Sequence, residues 1–383
     1  MDLTLSPEQE ATRRAVREWV DAVVAPAAIR NDREERFPQE GLDGLIRDGW
    51  IGLTIPEEYG GGGADPLSYC LVVEELGRGD ANVRSILSVH LGLVAGSIAR
   101  WGTDDQKQQW LPRMAAGEVL GCFCLTEPNH GSNPADLRAT AVREGDSYRI
   151  NGSKIFITNG DIAGIALVMA RTGGEGARGV SAFLVPCDTP GFTPKPIHGK
   201  LGLRSCDTAE IALDDVVVPA SALLGGEGDG IKVALSALDD GRMSLAASCT
   251  GLAQAAVDAM IGYAKDREQF GRPIAGFQLV QELIADSAVE TEAARMMTWR
   301  VADLKMRGEK FTTAASMAKY YASEVCVRAA NNAVQVHGGY GYVDEFVVGK
   351  LLRDARVTTL YEGTSQVQKL LIGRALTGVS AFT

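Results

Sequence analysis

The apolar pattern of this chain changes period twice, from helical to strand-like and back, and a fold built of one layer type cannot accommodate both changes. Ser6, Pro7 and Gln9 form a capping box with proline at the first helical position, and Val16, Trp19, Val20 and Val23 then recur at helical spacing. Similar runs follow at 39–50, 66–77, 83–100 and 104–117, the last opened by Thr103 with Gln106 three residues on. From Cys122 to Val218 the runs shorten to FCLTE, YRINGSKIFIT, GIALVMA and SAFLVP, punctuated by the turn signals Asn151-Gly152, Gly173-Gly174 and Thr189-Pro190-Gly191. Beyond Gly225-Gly226 the helical period returns, as in Leu279, Val280, Leu283, Ile284 and Ser287. The pattern predicts an α+β chain with a helical domain over 1–118, a β domain over 119–226 and a helical domain over 227–383.

Composition narrows the function classes. With 45% apolar and 23% charged residues in 383, the chain is neither disordered nor collagenous, and no stretch reaches the roughly 18 uninterrupted apolar residues of a spanning helix. A formal charge of −11 with no compensating run of Lys or Arg argues against nucleic acid as a partner, and nothing points to a membrane. Seven cysteines spread from Cys70 to Cys326 read as free thiols in a reducing compartment. The start, MDLTLSPEQEATRRAV, has neither a signal-peptide core nor an Arg-rich transit character, so the expected location is the cytoplasm. The broad apolar faces of the helical thirds suggest a homo-oligomer.

Several motifs read as structural. Gly226, Gly228 and Gly230 form a hinge rather than a dinucleotide fingerprint, because no βαβ unit follows, and Gly60–Gly63 reads as a loop. His90, His130, His198 and His337 are too scattered for a metal site, and Cys122 and Cys124 alternate as packing residues in a strand.

Three clusters mix glycine with hydroxyl, amide or carboxylate groups beyond what packing requires, and together they suggest one composite site. The first is LTEPNHGSNP, from Leu125 to Pro134, followed by Phe156-Ile157-Thr158-Asn159-Gly160, where hydroxyls and an aromatic face suit a planar polar ligand. The second is Arg267 to Ile274, REQFGRPI, joined by Gln335, Gly338 and Gly339 of QVHGGYGY; the arginine suits a pyrophosphate and the glycines admit it closely. The third, Tyr361-Glu362-Gly363-Thr364-Ser365-Gln366, opens the last amphipathic helix. Each alone also reads as a turn, a helix-end salt bridge or a cap.

The α-β-α order, LTEPNHGSNP, KIFITNG, DREQFGRPI, QVHGGYGY and YEGTSQ, at these separations, resemble the acyl-CoA dehydrogenase family over essentially the whole chain. The resemblance implies an N-terminal helical domain, a middle β-barrel-like domain and a C-terminal four-helix bundle, with FAD between the second and third and reaching a neighbouring subunit of a dimer or tetramer. Glu362 matches the family's catalytic base, which takes the α-proton of an acyl thioester while the β-hydride passes to flavin N5. Arg242 matches the arginine that orders that region, with Tyr361 and Gly363 beside the substrate. Phe123, Leu125, Thr126, Gly131, Ser132, Phe156 and Thr158 match flavin and thioester contacts. Arg267, Phe270, Gln335, Gly338, Gly339, Thr364 and Gln366 match FAD contacts, several of them made across subunits. Asn133 and Phe156 stand where the family commonly has aspartate and tryptophan. An electron-transfer flavoprotein is the implied acceptor.

The segment Val83-Arg84-Ser85-Ile86-Leu87-Ser88 resembles glutaryl-CoA dehydrogenases, whose arginine and serine bind the distal carboxylate of the substrate; Arg84 and Ser88 are its candidates here. Against this, Gly77 replaces a glutamate of that subfamily, and YEGTSQ with QVHGGYGY looks more like short- or branched-chain enzymes. An ordinary role for Arg84, on the surface or paired with Asp80, is open from the residues alone. The expected activity is α,β-dehydrogenation of a short acyl-CoA, dicarboxylic ones such as glutaryl-CoA included. The alternatives are a short acyl group on an acyl carrier protein, a flavin oxidase or monooxygenase of the same fold, or a non-catalytic acyl-CoA-binding module.

Overall fold

Local sequence signals set the first helices. In the computed structural model, which describes residues 4–382, the Ser6 hydroxyl accepts from the Gln9 amide at 3.2 Å and the Gln9 side chain accepts from the Ser6 amide at 3.0 Å. This box starts α1 (Pro7–Trp19), and Thr103 with Gln106 makes the same pair of bonds ahead of α7 (Asp104–Ala115). Between them lie α2 (Ala25–Glu34), α3 (Gln39–Arg47), α4 (Pro66–Gly79), α5 (Ala81–Ser88) and α6 (Gly96–Trp101).

Two expected helices differ in detail. The run at 39–50 stops at Arg47 because Gly49 takes a left-handed φ of 77°, and Trp50–Gly52 form a separate 3₁₀ turn. The run at 83–100 is divided by a wider π turn at Val89–Ala95, which directs Val89 and Leu93 into a cavity described below. His90 anchors that turn: its Nδ1 accepts from the Gly121 amide at 3.2 Å and its Nε2 donates to the Met114 carbonyl at 3.1 Å. Burial holds His90 down to about 4, consistent with a neutral structural imidazole.

The middle region is one eight-stranded sheet, formed by β1 (Gly121–Cys124), β2 (Thr140–Glu144), β3 (Ser147–Thr158), β4 (Ile165–Arg171), β5 (Val180–Pro186), β6 (Phe192–Pro196), β7 (Thr208–Pro219) and β8 (Leu223–Leu224). Its order is β6-β7-β3-β2-β4-β5-β8, with β1 parallel to β4. The sheet curls so that Tyr148 of β3 meets Phe183 of β5 edge to face, 4.9 Å between centroids, around a core of its own. Strands β4 and β5 are buried on both faces, which explains their unbroken apolar runs. Ala166, Val168, Phe183 and Val185 face the sheet's core, whereas Ile165, Leu167, Met169, Ala182 and Leu184 join the core shared with the helices.

Asn151-Gly152 is not a turn, as its sequence suggests, but lies inside β3 opposite a bulge of β7, where Asp214 and Asp215 together face Asn151 and Asp215 takes a left-handed φ of 50°. Asn151 there exchanges two hydrogen bonds with Asp215, at 3.0 and 2.8 Å, so the extra residue is held by side-chain rather than ladder bonds.

The chain ends in α8 (Gly230–Asp266), the small hairpin β9 (Glu268–Gln269) and β10 (Arg272–Pro273), α9 (Gln278–Met306), α10 (Thr312–His337), α11 (Val348–Thr358) and α12 (Ser365–Thr377). Helix α8 packs on α10, α9 and also α4, tying the two helical regions together. Ala81–Trp101 and Gly230–Asp266 are long and apolar enough to cross a membrane, but 83% and 67% of their most apolar windows are buried in this fold. Buried charge links the parts as well. Lys350 of α11 bonds Asp80 at 2.9 Å and Asp354 at 2.6 Å, and the other Asp354 oxygen accepts from the Leu203 amide of the β region. Asn159, buried and left-handed at φ 62°, donates to the carbonyls of Ile86 and Gly121, both at 3.2 Å.

Candidate active site

A cavity of about 470 Å³ opens where α5 and its π turn, the end of β1, the first turns of α8 and the α11–α12 connection converge. It unites the first and third sequence clusters with Arg84 and Ser88. Phe123, Leu125, Thr126, Gly131, Ser132, Phe156 and Thr158 form one wall, and Arg84, Ser88, Gly241, Arg242, Tyr361, Glu362 and Gly363 form the other.

Glu362 is held by backbone geometry. It has a left-handed φ of 58° and is followed by Gly363 at 86°. For a residue with a side chain this conformation costs about 1–2 kcal/mol, so the surroundings must impose it. The Glu362 carbonyl accepts from Gln368 Nε2 at 3.0 Å and Arg242 Nε at 3.4 Å. The Gly363 carbonyl accepts from Lys319 Nζ at 2.7 Å and again from Gln368 at 3.1 Å.

The carboxylate itself is left free. Its Oε2 is buried without a hydrogen-bond partner. Burial pushes Glu362 up to about 7, although Arg242, Lys319 and Arg84 pull the other way. A side chain on Gly241 could not coexist with it, since a Cβ there would lie 2.6 Å from Oε2 and 2.7 Å from Oε1. Arg242 is balanced by Asp239 at 2.9 Å, which leaves its Nε for the loop carbonyl.

Across the cavity, Phe156 is also left-handed, at φ 59°, with 66% of its surface exposed. A large aromatic residue held in this conformation with its ring in the open is a ready platform for a planar ligand. Thr126, Ser132 and Thr158 place hydroxyls beside it.

Arg84 is buried, and its pairing with Asp80 does not occur: Asp80 is engaged by Lys350 and Asn82. Its Nη2 donates to the Tyr361 hydroxyl at 2.7 Å, while its Nε is buried with no partner. Burial pushes the Tyr361 hydroxyl up to about 12, so it is neutral and does not compensate the guanidinium. Ser88 continues the polar wall through hydrogen-bonded hydroxyls, Ser88 to Ser244 at 2.9 Å and Ser244 to Tyr69 at 3.0 Å.

The second cluster does not join this cavity, so the three clusters do not form one site within a single chain. Arg242 and Arg267 are 25 residues apart on and just past α8, about 37 Å at helical rise. Arg267 lies 5.7 Å over the Tyr340 ring and, with Gly338 and Gly339, lines a separate surface groove. Phe270 is 93% exposed and Gln335 is exposed. Thr364 caps α12, its hydroxyl accepting from the Val367 amide at 3.2 Å, and Gln366 is exposed on the first turn outside the cavity wall.

Three residues went unmarked in the sequence reading. Lys319 could have been found as the lysine on the small-residue face of α10, among Ala315, Ala318, Ala322 and Ser323, all buried. Gly241 is a glycine in the interior of a 37-residue helix, which costs stability unless something requires it. Gln368 gave no such signal.

Three family models match consecutive parts of the chain: the acyl-CoA dehydrogenase N-terminal domain over 6–118, the middle domain over 122–216 and the C-terminal domain over 228–377. A short-chain specific acyl-CoA dehydrogenase of Clostridium acetobutylicum is 42% identical, covering 97% of this chain and 98% of its own. The chain belongs to the acyl-CoA dehydrogenase family. Among solved structures, butyryl-CoA dehydrogenase from Megasphaera elsdenii superposes with a TM-score of 0.96 at 40% identity, covering 98% of this chain and 100% of that one. A glutaryl-CoA dehydrogenase from Mycobacterium smegmatis in complex with FADH2 gives 0.94 at 36% identity, covering 99% and 97%. The acyl-CoA dehydrogenase fold thus accounts for the helical, β and helical parts in order, and the chain is an oxidoreductase of a flavoprotein family.

Proposed function

We propose that this acyl-CoA dehydrogenase uses FAD to oxidise a short acyl-CoA to its 2,3-enoyl thioester, with Glu362 as the base. The observation that carries the reading is the Glu362 carboxylate, buried, unpartnered and facing the cavity. The α-proton of a thioester is weakly acidic, and a carboxylate with a pKa near working pH removes it more effectively than one near its ordinary value. Arg242 and Gln368 hold the loop by its carbonyl, so the carboxylate is oriented without its own acceptor capacity being consumed. The apolar surfaces of Leu93, Leu125 and Leu238 exclude water from the acyl chain.

The cavity fits a flavin: an exposed aromatic platform at Phe156, three hydroxyls beside it, and open space over Gly131. When bound, the flavin supplies the acceptor for the β-hydride. Phe123, Leu125, Thr126, Gly131, Ser132, Phe156 and Thr158 would hold it from this chain. Arg267, Phe270, Gln335, Gly338 and Gly339 lie too far away to do so and would serve the cofactor of a second copy. The exposed apolar residues Phe270, Leu279, Val289 and Tyr342 support a homo-oligomer, with a tetramer as the proposed state. An electron-transfer flavoprotein is the proposed acceptor of the electrons.

Arg84 favours a finer reading, in which the acyl group ends in a carboxylate. A buried guanidinium with an unpaired Nε and a neutral neighbour is costly, and a carboxylate of the substrate would offset that cost. The test is anaerobic titration of the FAD-loaded protein with butyryl-, isobutyryl- and glutaryl-CoA while the flavin band is followed. Bleaching by a CoA thioester is the expected result, strongest with glutaryl-CoA if Arg84 reads a carboxylate. Bleaching only by a carrier-protein thioester would replace the CoA reading, and rapid reoxidation in air would favour an oxidase.

Gly241→Ala tests the geometry. Its methyl group would collide with the carboxylate, and the expected outcome is a loss of about 100-fold in the rate of flavin reduction with bound FAD retained. An unchanged rate in stopped-flow absorbance would show that the observed Glu362 rotamer is not the reactive one.

A further inference from the structure

We propose that Lys319 is a positioning residue for the base, gripping its loop from the buried side and supplying the positive field in which the Glu362 carboxylate ionises. This inference rests on the reading of Glu362 as the base. Lys319 lies on α10 with no exposed surface, and its ammonium donates to the Gly363 carbonyl at 2.7 Å. Among the described residues no carboxylate lies within 4.0 Å of it. A fully buried lysine without an ion pair is expensive to keep, and packing alone would be better served by methionine or leucine.

Other charged and titratable groups surround the pair. From α8, Arg242 faces the pair but is balanced by Asp239; Cys249 lies close to Lys319, and against burial, which raises it, the Cys326 and Thr358 side chains and the charges of Arg84 and Lys319 hold its thiol below the ordinary value. From α5, Arg84 acts on Glu362 and is capped by Tyr361 of the loop itself. From α10, Cys326 faces Lys319, while Glu324 is turned to Ser365 of α12 at 2.6 Å. Gln368 of α12 contributes a neutral donor, and Thr358 of α11 bonds the Cys326 thiol. Three cations thus act on Glu362, and of them Lys319 is the one that holds the Gly363 carbonyl and has no carboxylate paired with it, so its field reaches Glu362 as well as the Cys249 thiol. Burial lowers Lys319 to about 8, with Cys249 and Glu362 opposing.

The linkage has a definite sign. A nearby cation favours the ionised carboxylate, so removing it raises the Glu362 pKa further and moves the acid limb of the rate to higher pH. The experiment compares FAD-loaded wild type, Lys319→Gln and Lys319→Arg in anaerobic stopped-flow reduction by butyryl-CoA from pH 5.5 to 9. Glutamine can still donate to the Gly363 carbonyl but carries no charge. The expected result is a midpoint raised by about one pH unit, a loss of about tenfold at pH 6, and near-recovery at pH 9. Lys319→Arg, which keeps the charge, is expected to leave the midpoint in place. A Lys319→Gln profile lowered uniformly with an unmoved midpoint would overturn the proposal in favour of a structural role. If the glutamine variant does not hold flavin, the arginine variant decides, because a midpoint raised despite the retained charge overturns it equally. Flavin reduction that survives in Glu362→Gln would remove the base assignment and this inference together. Loss of reduction there with an unmoved Lys319→Gln midpoint would remove this inference alone.

Discussion

Glu362→Gln is expected to give a yellow protein whose flavin is no longer reduced by butyryl-CoA, the rate falling by about 1,000-fold. Glutamine has nearly the same shape and still fits over Gly241, and the loop is held by its carbonyls rather than by this side chain, so cofactor binding should survive. What is lost is, among the described residues, the carboxylate of the cavity wall with a pKa near neutrality and an unpartnered oxygen. The wild-type rate has a matching signature. The base works when ionised, and burial raises its pKa to about 7, so reduction at low substrate should climb as pH rises through that value and level off above it. Stopped-flow traces at 450 nm check both points. Turnover retained by Glu362→Gln, or a profile flat from pH 5.5 to 8, would move the base elsewhere.

Arg84→Met is expected to separate substrates rather than to slow all of them. If the guanidinium binds a terminal carboxylate, kcat/KM for glutaryl-CoA should fall by about 100-fold or more, because the carboxylate would then be buried against a methyl thioether. The value for butyryl-CoA, compared at pH 9 where Glu362 stays ionised even without the field of Arg84, should hold or rise, since the variant removes an unpaired buried cation. Binding of each thioester to the oxidised protein, followed by the shift of the flavin spectrum, gives the same comparison without turnover. Equal losses on both substrates would assign Arg84 instead to holding Tyr361, its one hydrogen-bond partner in the structure.

Local signals were legible where the responsible atoms are neighbours in sequence. The Ser6 and Thr103 capping boxes form as the residues predict, and the doubly buried β4 and β5 follow from their unbroken apolar runs. Asn151-Gly152 does not turn because the irregularity it marks is taken up by the partner strand, where β7 bulges at Asp214 and Asp215 and Asn151 bonds Asp215 across the ladder. The LTEPNHGSNP and YEGTSQ clusters stood out from their residues, whereas the roles of Glu362 and Arg84 were reached through resemblance, and the structure shows why residues alone were insufficient. The exposed aromatic at Phe156 and the free carboxylate at Glu362 acquire meaning only once α5, β1 and the α11–α12 connection meet. Lys319 escaped because its acceptor is a backbone carbonyl 44 residues away, which no side-chain pattern records. The second cluster lies apart from the cavity within one chain because the 37-residue α8 separates them, which agrees with the implied contacts across subunits.

The strands β4 and β5, each with one face in the barrel-like core and one in the core of the helices, alter what the three-part sequence means for folding. Cutting the chain at its two changes of period would bare Ile165, Leu167, Met169, Val180 and Leu184, so the middle region is a party wall rather than a detachable module. A cofactor cleft opening beside such a wall inherits its rigidity from both tenants: neither can loosen without the other, and the distance between Phe156 and Glu362 is set by the cooperative unit as a whole.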